Sequence, residues 1–164
     1  MAEPIAYFLD HSQSTVDLAL TGERLIIKTQ GKGLLDKPRV IDIALADLRG
    51  FYVTRTIAAQ NLVSPGSEGD RSYDSEFIFS YVNEGKLKNK RVFVNSQDPA
   101  FQRFLGSLGT ARPDASLLHL DSAEALKQIG TISSTKALYL IIGLIVAVPL
   151  LIGLILILSK IFGR

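Results

Sequence analysis

The sequence contains no cysteine and no tryptophan, and histidine occurs only twice. Without cysteine, a disulfide scaffold, a thiolate metal site and a cysteine nucleophile are all excluded. The absence also fits a reducing compartment. His11 directly follows Asp10 and His119 stands apart from any motif. We interpret both histidines as ordinary polar residues, because neighbours in sequence rarely form a catalytic pair.

Catalytic and nucleotide-binding motifs are missing as well. The sequence holds no Walker phosphate loop and no G-x-G-x-x-G, G-x-S-x-G or H-E-x-x-H pattern. Gly31-Lys32-Gly33 is too short for a phosphate loop, and the carboxylates are dispersed without the clustering that a metal site needs. We therefore expect no enzymatic activity, no cofactor and no metal.

Charge is unevenly distributed along the chain. Residues 1–136 hold all 16 acidic residues and 16 of the 18 basic ones, which cancel. The formal net charge of +2 comes from Lys160 and Arg164. Because binding to nucleic acid needs a basic surface, we expect no nucleic-acid partner for the neutral part.

One long apolar run gives the strongest pattern in the chain. Residues 137–158 read ALYLIIGLIVAVPLLIGLILIL, without a charged side chain. As a helix this run would measure about 33 Å, close to the thickness of the hydrocarbon layer. Lys136 and Lys160 flank it, and Tyr139 stands where interfacial aromatics occur. The run predicts one transmembrane α-helix rather than a buried helix of a soluble protein.

The ends of the chain suggest a topology. The start, MAEPIAYFLDHSQ, lacks the basic and apolar regions of a signal peptide. Only a short tail, residues 159–164, follows the apolar run. We expect a single-pass, tail-anchored protein whose N-terminal domain faces the cytoplasm. Loop charges do not decide the orientation, since lysine or arginine lies on both sides.

Small residues interrupt the predicted span. Gly143 and Ala147 are four residues apart, which lets a second helix approach closely, and Gly153 could extend that contact. Pro149 predicts a kink. Helix–helix packing is one interpretation, and the ordinary abundance of small residues in membrane spans is the other.

The N-terminal part, residues 1–110, reads as a mainly β head domain. Alternating apolar residues predict short antiparallel strands, and residues 84–89 predict the turn of a hairpin. Residues 58–74 are polar and rich in turn formers, which predicts a long loop. Asp98-Pro99 predicts the start of a helix that presents Phe101, Phe104 and Leu108 to the sheet and ends at Gly109. The strands are predicted at residues 15–20, 24–29, 39–45, 50–56, 75–83 and 90–95.

Residues 111–136 read as a linker that separates the head from the membrane. Asp121 and Glu124 form a capping box, which predicts a short helix to Ile129 with Gly130 as its stop.

Two segments of the head resemble the bacterial pleckstrin-homology-like family. Residues 20–29, LTGERLIIKT, and residues 40–48, VIDIALADL, are similar to its early strands, an L-T-x-x-R-L-I run, a turn and an I-x-L-x-D-I run. The resemblance implies a bent antiparallel sheet or partial barrel of seven strands, capped by a C-terminal helix. It also implies an adaptor or membrane-associated role at a bacterial inner membrane, usually without catalysis. The long polar loop at residues 58–74 departs from the family.

Two basic groups are candidates for binding an anionic lipid headgroup, since the resemblance implies such binding at the first hairpin loop. Solvated turns are the favoured alternative, and Asp36 and Glu84 weaken the positive field. The first group contains Lys28, Lys32, Lys37 and Arg39, and the second contains Lys86, Lys88, Lys90 and Arg91.

Together these features favour a non-enzymatic accessory or scaffold subunit that binds integral membrane partners. One alternative is a tethered domain that binds anionic lipid headgroups. Another is an assembly or regulatory factor of a membrane complex.

Overall fold

The computed structural model of the chain describes residues 4–10, 14–33, 35–55, 73–131, 144, 147–149 and 152. The described part of the head consists mainly of two antiparallel β-sheets with two α-helices. The mainly β fold class predicted from the alternating apolar residues is therefore confirmed. Most of the predicted loop at residues 58–74 lies outside the described residues, as does His11.

Each sheet follows chain order, with every strand antiparallel to the next. Within the described residues the first sheet contains β1 (Ile5–Asp10), β2 (Ser14–Thr21), β3 (Arg24–Gly31) and β4 (Arg39–Ala44). The second contains β5 (Leu48–Arg55), β6 (Ser75–Asn83) and β7 (Lys86–Val94). A 3-10 turn, Leu45–Asp47, joins the two sheets.

Strand β1 is not among the strands predicted from the sequence. Its buried side chains are Tyr7 and Leu9, whereas Ile5 on the same face and Phe8 on the opposite face are apolar but exposed. The apolar residues therefore do not alternate with polar ones, and alternation is the signal from which strands are predicted.

The hairpin between β6 and β7 is tighter than the sequence predicts. Glu84 and Gly85 both have positive φ values, 53° and 73°, which is the geometry of a two-residue hairpin turn. Asn83 therefore pairs directly with Lys86, and β7 begins there rather than at residue 90. The second basic group lies along a strand and not in a turn, so this part of the prediction is wrong.

Helix α1 (Pro99–Ala111) packs its apolar side on the core. The Asp98 side chain accepts a hydrogen bond from the Ala100 amide, as the predicted N-cap requires. Phe101 and Phe104 are fully buried, and both rings contact Phe77 of β6. The helix continues past Gly109, because the first proline after it is Pro113 and a glycine only weakens a helix.

The chain after α1 forms a second layer on the head. Helix α2 (Ser122–Ile129) has Asp121 as its N-cap and Gly130 as its left-handed C-cap, as predicted. Its buried residues pack with Leu117 on Ile78 at the outer face of the second sheet. The compact unit extends to Thr131, whereas we expected a spacer at residues 111–136. The apolar residues of this short stretch are buried against β5 and β6. In a spacer the same residues would be exposed to water.

The predicted membrane span, residues 137–158, lies mostly outside the described residues. Leu144, residues 147–149 and Ile152 have helical backbone, and their side chains are exposed. Ala147 and Pro149 are thus helical, whereas Gly143 and Gly153 are not described. Among the described residues, no helix has the length and apolar character to cross a bilayer.

Candidate functional site

A groove of about 510 Å³ lies between the loop that joins β3 to β4 and the C-terminal part of β7. Three cationic side chains line it: Lys37 and Arg39 from the first basic group and Arg91 from the second. The topology therefore brings together members of two groups that are distant in sequence. The remaining lining residues are Ser14, Val16, Thr29, Gly31, Leu35, Asp36, Val92 and Phe93.

Asp36 determines the shape of the loop at the rim of this groove. Its Oδ2 atom accepts a hydrogen bond from the Gly33 amide at 3.1 Å, and its own amide donates to the Gly33 carbonyl at 3.0 Å. A Cβ atom at Gly33 would lie 2.7 Å from Asp36 Oδ2, and one at Gly31 would lie closer still. Gly31 and Gly33 therefore leave room for the Asp36 carboxylate, because a side chain at either position would clash with it. This contact explains both glycines without a bound phosphate.

Arg91 is held in the groove by a buried carboxylate. Its Nη1 atom lies 3.2 Å from Glu76 Oε2, and its Nη2 atom donates to Thr131 Oγ1 at 3.0 Å. The side chain of Glu76 is 2% exposed and that of Arg91 is 33% exposed. A carboxylate removed from water needs such a partner. Arg91 therefore compensates Glu76 and contributes less than a full charge to the groove.

The same strand also fixes the end of helix α2. Asn89 donates from its side-chain Nδ2 to the Gly130 carbonyl at 2.9 Å. Together with the bond from Arg91 to Thr131, this contact holds residues 130–131 against β7. Arg91 therefore lines the groove and also contacts Thr131 at the end of the compact unit.

The other predicted cations do not line the groove. Lys28 lies in the middle of β3 and pairs with Asp17 at 3.6 Å, and Lys32 pairs with Asp10 at 2.6 Å. Lys86, Lys88 and Lys90 share one face of β7 by strand alternation. Of the eight predicted residues, the structure brings three to this groove.

Two exposed apolar side chains, one in the loop after β3 and one at the start of β4, were missed by the sequence reasoning. Leu35 in the loop is 90% exposed, and Val40 at the start of β4 is 63% exposed. The signal was present in the segment GKGLLDKPRV, where apolar residues stand among turn formers and cations. Exposure of this kind depends on how the loop is folded, so the sequence alone does not reveal it.

Two other cavities differ in character. One, of about 640 Å³, lies between β1 and α1 and has Arg103 as its cation. The other, of about 380 Å³, contains Arg24, Asp42, Asp47 and Glu84, and Arg24 and Asp42 pair there at 2.7 Å. His119 is exposed on the surface. Across the described part of the chain, no three histidine, aspartate or glutamate side chains are grouped as a metal site would need.

Comparison with protein-family models, with curated proteins and with solved structures finds no match for this chain. The resemblance to the pleckstrin-homology-like family therefore stays a prediction from the sequence segments.

Proposed function

We propose that this chain is a non-enzymatic, single-pass membrane protein whose pleckstrin-homology-like head serves as an accessory or scaffold subunit of a larger membrane complex. The observation that carries the proposal is the order of elements. A four-stranded antiparallel sheet is followed by a three-stranded one and then by α1, whose aromatic rings enter the core. This order agrees with the seven strands and C-terminal helix that the family resemblance implies.

The apolar C-terminal segment supports membrane attachment. Leu144, Val148 and Ile152 are helical, exposed and spaced four residues apart, so they lie on one side of a helix. Such a side needs a lipid or a partner helix to cover it. In the proposal, residues 137–158 cross a bilayer, the head faces the cytoplasm, and Gly143, Ala147, Pro149 and Gly153 belong to the helix surface that meets partner spans.

Co-purification tests the accessory role. The tagged chain is extracted from its native membrane in a mild detergent, and the associated proteins are quantified by mass spectrometry. We expect a fixed set of integral membrane proteins at stoichiometric amounts. A matched control replaces residues 137–158 with an unrelated leucine–alanine span of equal length. This control should stay in the membrane but recover fewer partners.

One result would contradict the accessory role, and a second would contradict the part that the transmembrane helix plays in it. A chain that elutes alone has no stable partner. A partner set that the replaced span retains in full would contradict packing through the transmembrane helix and leave the head as the binding surface. Partners that associate only during assembly would indicate an assembly or regulatory factor instead.

A second candidate function is the binding of an anionic lipid headgroup. The convergence of Lys37, Arg39 and Arg91 on one groove favours it. The test is a titration of the detergent-solubilised chain with a soluble inositol phosphate, followed by calorimetry. Lys37→Gln with Arg39→Gln should abolish the heat of binding, whereas Lys86→Gln with Lys88→Gln removes the same charge outside the groove and should not. Equal loss in both pairs would indicate nonspecific attraction.

A further inference from the structure

We infer that the free edge of β7 binds an extended segment of a partner protein as an added β-strand, and that this segment carries an acidic residue at every second position. The inference rests on the proposed accessory role and deepens it, because it names the kind of partner segment that the head recognises. Three features of β7 carry it: the backbone groups at its edge, the lysines along one face, and the exposure of its N-terminal half.

Strand β7 has one edge that no other described strand covers. It is the last strand of the second sheet, and among the described strands it pairs with β6 alone. The two-residue turn before it makes Asn83 and Lys86 a hydrogen-bonded pair, and such pairs alternate along an antiparallel ladder. The backbone N–H and C=O groups of Leu87 and Asn89 therefore point away from β6. An edge of this kind is a template for a further strand.

The cations of β7 match the side-chain spacing of an added strand. Lys86, Lys88 and Lys90 share one face of β7, so they recur about every 7 Å along the edge. Among the described side chains, no carboxylate lies within ion-pair distance of any of these lysines. Residues directly opposite each other on paired strands have Cβ atoms about 5 Å apart, and opposite charges there are stabilising. An acidic residue at every second position of the added strand would therefore meet each lysine.

The N-terminal half of β7 is open to such a partner. Leu87 is 58% exposed, and Lys86, Asn89 and Lys90 are exposed as well. Leu87 lies on the face opposite to the lysines, beside its cross-strand neighbour Val82, which is only half-buried. The residues that alternate with the acidic ones in the partner segment would cover this apolar pair.

The same lysines exclude other strands from this edge. A second copy of β7 that paired antiparallel here would place lysines opposite lysines, because the residues with outward-pointing backbone groups must face each other. Like charges directly opposite each other are destabilising. A strand without acidic residues would offer the lysines no countercharge. The lysines therefore reject the chain itself and favour an acidic segment.

Fluorescence anisotropy of a labelled peptide tests the inference with the full chain in mild detergent. The probe is a short peptide in which glutamate alternates with threonine, and the control peptide has the same composition with its glutamates in one block. We expect saturable binding of the alternating peptide and weaker binding of the blocked one. Lys86→Gln with Lys88→Gln should weaken binding of the alternating peptide about fivefold. Lys37→Gln with Arg39→Gln removes the same charge elsewhere and should leave it unchanged.

The backbone contribution is tested separately. Leu87→Pro removes an N–H group that points to the free edge and keeps the ladder with β6, and edge strands tolerate such a proline. It should abolish binding, whereas Leu87→Ala keeps the N–H group and should weaken binding less. Two further peptides, N-methylated only at threonine or only at glutamate, test the unmodified chain and so do not depend on how Leu87→Pro folds. Because an added strand uses one of its two edges, only one of these peptides should lose binding.

The remaining results overturn defined parts of the account. Unchanged binding of both methylated peptides, or equal affinity for the alternating and blocked peptides, overturns strand addition. If Lys86→Gln with Lys88→Gln self-associates but keeps its peptide affinity, the lysines only protect the edge, and the inference is overturned. Anionic vesicles that bind through these lysines, without affinity for the peptide, would assign the edge to lipid instead.

Failure of this inference is distinguishable from failure of the accessory role. If the peptide does not bind while integral membrane partners still co-purify with the Leu87→Pro chain, the edge inference is overturned and the accessory role stands. If the peptide binds as expected but no partner co-purifies with the natural chain, the accessory role is overturned and the binding property of the edge stands.

Discussion

Loss of Arg91 should destabilise the head by more than an ordinary surface ion pair does. Glu76 would keep a carboxylate that is 2% exposed while losing the guanidinium at 3.2 Å. Breaking a fully buried pair in this way costs about 3–5 kcal/mol. Arg91 is 33% exposed, so water already compensates part of its charge. We therefore expect Arg91→Gln to lower the free energy of unfolding by about 2 kcal/mol.

Urea unfolding of the full chain in mild detergent measures this change. Near-ultraviolet circular dichroism of tyrosine follows the head, since four of the five tyrosines precede residue 132. Arg24→Gln is the matched control, because its pair with Asp42 is half exposed on both sides. That substitution should cost much less than Arg91→Gln does, because water already screens an exposed ion pair.

A double variant separates charge from packing. If the cost of Arg91→Gln comes from the loss of the ion pair to a buried carboxylate, adding Glu76→Gln should recover at least about 1 kcal/mol. Strictly additive losses in the two single variants would refute the reasoning. So would an equal loss for Arg24→Gln and Arg91→Gln, because the burial of Glu76 would then be of no consequence.

Three further changes test the core, a helix cap and a buried phenol. Phe104→Ala should lower the free energy of unfolding by about 3–5 kcal/mol, since its ring is fully buried against Phe77, and urea titration measures this. Asp121→Ala should cost about 1 kcal/mol by removing the N-cap of α2, with a loss of amide-exchange protection in that helix. Burial raises the pKa of Tyr7 to about 12, although the hydrogen bond from the Asn95 amide opposes this. Its folded-state pKa lies above the ordinary value, so the stability from neutral Tyr7 is present below about pH 10 and is lost as the pH rises towards 12. Ultraviolet titration should find one tyrosine that ionises near pH 12, and Tyr7→Phe should remove that step.

Local patterns predicted much of the head. Strand β6 has the bounds that its alternating and aromatic residues predict, and α2 begins and ends at its predicted caps. These features depend on neighbours in sequence. The start of β7 was misplaced because a Glu84-Gly85 turn with positive φ at both residues is a weaker sequence signal than the lysine-rich stretch after it.

The features that the sequence did not predict depend on contacts between residues that lie far apart in the chain. The packing of residues 112–131 on the second sheet depends on Ile78 and Phe51, which lie far away in sequence. Gly50 permits this packing, since a Cβ atom there would lie 3.0 Å from a methyl group of Leu117. The groove likewise needs β7 to approach the loop after β3. Sequence spacing contains no information on such an approach.

Native mass spectrometry of the chain, extracted from its own membrane in mild detergent, tests the central claim most directly. The account predicts a particle in which one 17.9 kDa chain accompanies a fixed set of other integral membrane proteins. A particle with the mass of this chain alone, or of a whole multiple of it, would contradict the accessory role.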